Sequence, residues 1–298
     1  MEKPVSRLNS HSILCVFALL VIPSSACKVK VINWVCSLYY SATMQRPDKT
    51  SFVVATDLHL REDQPYVEPR CAPGMTATEK FRHLLKKMGH LKPAPQFIML
   101  LGDLHVEKLE LLLPEIPLPI HVVMGNHERG ADRQRLREVF ADDFKDSDFY
   151  TFEHGNTLFI CLCNAVPGDH VGYFESQHIR PNVGQLAWLE AQLARGQEYE
   201  RCIVFGHVPP SPDGQPHGDH LTHNDALWLR DRVQQYHPTA LFFGHRHQRI
   251  WFDIAQTPVY SLLSCNWNFD AEDPIGFVHV TCSGSDLDVA FIPTMEVD

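Results

Sequence analysis

Five short apolar runs in this chain each end on a block of polar side chains able to bind a metal, which narrows sharply what the chain can fold into. Phe52 to Ala55 leads into Thr56-Asp57-Leu58-His59, Phe97 to Leu101 into Gly102-Asp103, and Ile120 to Met124 into Gly125-Asn126-His127-Glu128. Cys202 to Phe205 leads into Gly206-His207, and Leu241 to Phe243 into Gly244-His245-Arg246-His247. Runs of this length alternating with helical stretches read as strands and helices of an α/β layered fold. In open α/β sheets, ligands bind outside the carboxyl ends of the strands, where loops gather side chains from distant parts of the chain. A lone Gly-Asp or Gly-His after a strand is an ordinary turn. Five blocks of restricted composition, each at a strand end, point instead to one shared site.

The spacing inside the blocks has a physical reading. Asp57 and His59 are two apart, as are His245 and His247, and in extended backbone that spacing puts both side chains on one face, where each pair can chelate. Glycine at four of the five exits permits unusual backbone angles and close approach of the chain to an ion.

Composition narrows the partner. Lys plus Arg total 26 and Asp plus Glu total 36, a formal charge of −10, which argues against a nucleic-acid backbone as the general partner. Histidine is plentiful at 18 residues, and it is the side chain that most often binds metals or moves protons near neutral pH. With 298 residues, 44% hydrophobic and 21% charged, and no low-complexity tract or repeat, a single domain over residues 44–298 is expected. Six of the nine cysteines lie in that span, and Cys161 and Cys163, in the apolar run Leu158 to Cys163, read as small core residues rather than a disulfide framework.

Residues 1–43 read as a leader. Lys3 and Arg7 precede the apolar stretch Ile13 to Ile22, and Ser24-Ser25-Ala26 follows it, the layout of a secretory signal, with a run too short for a membrane span. A second reading makes Met44 the true start. The first implies a periplasmic or secreted protein, the second a cytoplasmic one. Neither implies a transmembrane segment, and the sequence does not specify an oligomeric state.

In its five blocks the chain resembles the calcineurin-like metallophosphoesterases, whose pattern is Asp-x-His, Gly-Asp, Gly-Asn-His-Asp/Glu, Gly-His and Gly-His-x-His. The resemblance spans about Ser51 to Arg249. It implies a four-layer α-β-β-α sandwich, two mixed β-sheets packed face to face with helices outside, and the later runs Pro258 to Leu263, Gly276 to Thr281 and Leu287 to Ile292 are expected to complete the second sheet. It also implies two divalent metal ions, one between Asp57, His59, Asp103 and His247, the other between Asp103, Asn126, His207 and His245. Asp103 is then shared, and each ion keeps room for a bridging hydroxide and substrate oxygens. Oxygen and nitrogen ligands without thiolate suit manganese first, with iron or zinc as alternatives. Two such ions bring +4 against −3 from Asp57, Asp103 and a hydroxide, a locally positive pocket for a phosphoester. His127 resembles the family residue that approaches the leaving-group oxygen. Here the block continues Gly102-Asp103-Leu104-His105-Val106, without the second aspartate that many members use to orient that histidine.

For substrate, the stretch Gln185 to Glu190 resembles one found in the cyclic-nucleotide phosphodiesterase and purple-acid-phosphatase-like branch, though Leu186, Leu189 and Leu193 would recur in any amphipathic core helix. The expected activity is phosphodiester hydrolysis, on a cyclic nucleotide or another small diester. A phosphomonoesterase, including a protein phosphatase, and a metal-free scaffold are the alternatives. Arg61 and Arg129 are candidate phosphate contacts, with solvated surface arginines as the plainer alternative. Loops near 61–76, 166–183, 208–222 and 264–275 should surround the cleft and select the substrate. The run His217, His220, His223 reads as solvated decoration, and Arg246 as pointing away from the metals.

Overall fold

The computed structural model describes residues 49–61 and 65–295, so the expected leader, and with it the question of Met44, lies outside the described residues. Within β1 (Lys49–Ala55) the side chains alternate between two buried environments: Phe52 and Val54 face one apolar cluster, Val53 and Ala55 another. A strand buried on both faces has a layer on each side, here a second sheet on one and helices on the other. The first sheet has five strands, with β1 at its centre, and the second has six.

In the first sheet β1 runs parallel to β2 (Ile98–Leu100), which runs parallel to β3 (Ile120–Val122). In the second, β5 (Thr157–Cys161), β6 (Arg201–Phe205), β7 (Ala240–Phe243) and β9 (Thr257–Ser261) are parallel, with β4 (Tyr150–His154) and β8 (Ile250–Ile254) antiparallel at the edges. Phe52, Phe97, Phe159, Phe205 and Phe242 fill the space between the sheets. Helices α1 (Ala77–Met88), α2 (Val106–Leu112) and α3 (Ala131–Val139) cover the outer face of the first sheet through Phe81, Leu84, Leu109 and Leu136. Helices α4 (Gln185–Gly196) and α5 (His223–Tyr236) cover the second through Leu189, Leu193, Leu229 and Val233. The four-layer sandwich is therefore present.

Contrary to the expectation from the sequence, the late strands divide between the sheets instead of completing the second. Of the three late strands, only β9 joins the second sheet; β10 (Gly276–Ser283) and β11 (Asp286–Pro293) extend the first, β10 pairing antiparallel with β1 from Lys49↔Ser283 to Val54↔Val278. This pairing covers the edge of β1 that β2 leaves open and sends Val278, Val280 and Cys282 into the space between the sheets. Cys161 and Cys163 are buried and free, as core residues.

Candidate metal centre

Every block lies just past the carboxyl end of its strand, and the two sheets bring those ends together. Asp57 follows β1, Asp103 follows β2 and Asn126 follows β3, while His207 and His245 follow the neighbouring strands β6 and β7 of the other sheet. The loops are tied to one another through backbone: Asp57 N–H donates to Gly102 O at 3.1 Å, His59 N–H to Asp103 O at 2.9 Å, and Gly244 N–H to His207 O at 3.0 Å.

The chelating pairs do not arise from extended backbone, as the spacing suggested. Asp57, His59, Asp103, His245 and His247 all adopt positive φ, between 40° and 69°. Non-glycine residues held there cost on the order of 1–3 kcal/mol each and persist where the surroundings over-determine them. With this backbone, strand alternation no longer applies, and Arg246 does not point away: it lines the cavity beside His245 and His247, paired with Asp219. Close approach explains two glycines. A Cβ on Gly125 would be driven into the Asp103 carboxylate, and one on Gly244 into Thr56 and Asp57.

Three imidazoles are held from behind by backbone carbonyls. His207 Nδ1 donates to Leu101 O at 2.5 Å, His247 Nδ1 to Trp267 O at 2.6 Å, and His245 Nε2 to His170 O at 2.9 Å. A carbonyl only accepts, so in each neutral ring the other nitrogen carries the lone pair. Those nitrogens turn inward: His207 Nε2 and His245 Nδ1 each lie 3.1 Å from Asn126 Oδ1, and His247 Nε2 lies 3.2 Å from both Asp57 Oδ1 and His59 Nε2. Asp103 Oδ2 lies between the two sets, 3.3 Å from His207 Nε2 and 3.8 Å from His59 Nε2. Among the described residues four groups able to hold a metal result, each with its donor atoms within 4.8 Å of one another: the buried Asp57-His59-His247, the largely buried Asp103-His207-His245, and two that include exposed residues, His59-Asp103-His127 and His170-Asp219-His245. Asp57 Oδ2 accepts from Thr56 Oγ1 and His245 N–H, whereas Asp57 Oδ1 is buried without a hydrogen bond. A buried carboxylate oxygen left bare is costly unless a cation satisfies it.

The electrostatics make the same demand. Burial by itself would raise the carboxyl pKa of Asp57 and Asp103, yet the facing histidines, His247 first for Asp57 and His207 first for Asp103, hold both below the usual range. Burial would depress His207, but Asp103 and then Asp57 hold it up at about 10, while burial and the charge on His207 take His245 down to about 4. The carboxylates thus stay anionic and draw positive charge to themselves, which fits divalent cations.

His127 is the exposed member of the set. Its backbone N–H donates to Asp103 Oδ1 at 2.8 Å, and its ring stands edge-on to His59 with centroids 4.8 Å apart. It opens on a cleft of about 500 Å³ together with His59, Asp103, His105, Arg61 and Arg129. Both arginines are exposed. His105 starts α2 at φ 65° with both ring nitrogens buried and without hydrogen bonds. His217, His220 and His223 gather no metal-sized group; His217 pairs with Asp213 at 3.1 Å.

Several supporting residues escaped the sequence. Buried Glu128 accepts from Asp103, Leu104 and Gly125 N–H at 3.0, 2.8 and 2.6 Å, strapping two of the loops together. Asn164 Oδ1 accepts from His207 and Val208 N–H. Fully buried Lys80 donates to Asn266 Oδ1 at 2.9 Å, and Asn266 Nδ2 donates to His59 O. Glu128 stood inside a recognisable block and gave a hint; Lys80, on an amphipathic helix, gave none.

The family model for calcineurin-like phosphoesterases matches residues 50–249. The chain belongs to this family. Within it, a 3',5'-cyclic-nucleotide phosphodiesterase from a Nostoc strain is 24% identical over 206 residues, 66% of this chain and 71% of that protein. A serine/threonine-protein phosphatase of Danio rerio is 27% identical over 189 residues, 56% of this chain and 59% of that protein, less than two thirds of its length. The same fold occurs in a dimetal phosphatase from Danio rerio, TM-score 0.61 at 15% identity over 83% of this chain and 97% of that one. It occurs also in GAP50, the anchor in the inner membrane complex of Plasmodium, TM-score 0.52 at 11% identity over 83% and 85%. Among the described residues no helix is long and apolar enough to cross a membrane.

Proposed function

We propose that this phosphoesterase-family chain holds two divalent ions, one on Asp57, His59, Asp103 and His247 and the other on Asp103, Asn126, His207 and His245, and hydrolyses small phosphodiesters, cyclic nucleotides among them. The observation that carries it is the set of three imidazoles, each fixed by a backbone carbonyl so that its other nitrogen faces Asp57, Asp103 or Asn126, with Asp57 Oδ1 buried and without a hydrogen bond. Such support from behind orients a ligand in advance and raises its basicity. Manganese is the first choice, with iron or zinc as alternatives. When bound, the ions polarise phosphoryl oxygens and lower the pKa of water.

The chain's own residues do the rest. Arg61 and Arg129, on the cleft beside His127, supply charge for a phosphoryl oxygen, which an anionic substrate of this acidic protein requires. His127 is placed to give a proton to the departing oxygen, while Asp103 anchors its backbone. The similarity to a cyclic-nucleotide phosphodiesterase supports the diester; the similarity to a protein phosphatase favours a monoester as second reading. The full set of donors disfavours a metal-free scaffold. Manganese-supported turnover of bis(p-nitrophenyl) phosphate and p-nitrophenyl phosphate separates the readings. Higher kcat/KM on the diester is expected, and higher kcat/KM on the monoester would transfer the function to the second reading.

A further inference from the structure

Single exposed apolar side chains are ordinary on a folded surface, whereas neighbouring ones mark contact sites, and two large ones stand together here: Tyr66, 79% exposed, and Phe269, 52% exposed. With the nearly buried Trp267 they form a corner of three rings. Centroids are 5.6 Å apart for Tyr66 and Trp267, 5.4 Å for Trp267 and Phe269, and 6.4 Å for Tyr66 and Phe269, the last two pairs edge to face. The corner adjoins the donor set directly. Trp267 stands 4.2 Å from the His247 ring and fixes that ring through its carbonyl, and Phe269 stands 5.8 Å from the same ring. Trp267 and Phe269 also line the cavity of about 130 Å³ that Asp103, Asn126, His245 and His247 share. A substituent that leaves this cavity on the His247 side passes over these rings.

We propose that Tyr66, Trp267 and Phe269 are specificity-determining residues that stack a planar aromatic group of the substrate, such as a nucleobase, when its phosphoryl group lies in the cavity lined by Asn126, His245 and His247. This rests on the reading of the site given above and names the substituent that the site selects. Trp267 forms the floor, already packed on His247, and the exposed faces of Tyr66 and Phe269 form the walls. Rings stacked on aromatic side chains are held with little regard for hydrogen-bond pattern, so any planar base is accepted while a bare sugar phosphate gains nothing.

Calorimetry on the manganese-loaded protein with adenosine 5'-monophosphate and ribose 5-phosphate tests this by binding, with release of inorganic phosphate checked in the same samples. The nucleotide is expected to bind about 10-fold tighter in the native chain. In the double variant Tyr66→Ala, Phe269→Ala that preference should fall below about twofold, with ribose 5-phosphate affinity and manganese stoichiometry kept. Equal binding of the two ligands by the native chain, or a preference that survives both substitutions, overturns the stacking corner while leaving the phosphoester site standing. Failure of both ligands to bind overturns the phosphoester reading and the corner with it.

Discussion

At the scale of single residues, Asp103 and His127 separate binding from chemistry. Asp103 Oδ2 lies between the donor groups of His59 and His207, so Asp103→Asn should weaken occupancy at both positions, while His59→Ala should loosen chiefly one. Two ions retained at native affinity in Asp103→Asn would contradict the sharing. His127 faces the open cleft, and His127→Ala should keep both ions while losing about 10²- to 10⁴-fold in rate on esters with basic alkoxide leaving groups. A nitrophenolate needs little protonation, so its ester should suffer much less, and equal losses on both would assign His127 to positioning. What the sequence showed at this scale was residue type and order. It did not show the backbone: the left-handed angles of Asp57, His59, Asp103, His245 and His247 follow from the loops being bonded to one another, and no local propensity encodes that. For the same reason alternation misplaced Arg246.

At the scale of elements, strands and helices were legible from periodicity, and partner choice was not. Gln185 to Gly196 reads as a helix and is one, because Leu189 and Leu193 recur on a buried face. β10 and β11 read as strands, but an apolar run fits either sheet, and only the open edge of β1 decides that β10 pairs there. The packing of the two sheets can be tested at Phe159 on β5. Its ring stacks on Phe205 at 5.9 Å and meets Phe52 and Phe97 of the first sheet edge-on at 5.4 and 5.3 Å. Phe159→Ala should therefore cost about 3–5 kcal/mol of unfolding free energy, read from denaturant midpoints at constant slope. A cost below about 1 kcal/mol would mean that this ring does not bridge the sheets.

At the scale of the whole molecule, an acidic chain gathers five loops from two sheets around two buried carboxylates, and so collects cations where it repels polyanions. An ion that binds only the folded site also stabilises the fold, since the donors are spread from Asp57 to His247 and meet nowhere else. The measurement closest to the central claim is a calorimetric titration of the metal-stripped chain with Mn²⁺, with diester hydrolysis followed in the same samples. Two equivalents per chain are expected, with hydrolysis appearing only as the second is bound. A single equivalent, or two equivalents with no hydrolysis of any phosphoester, would contradict a binuclear hydrolase.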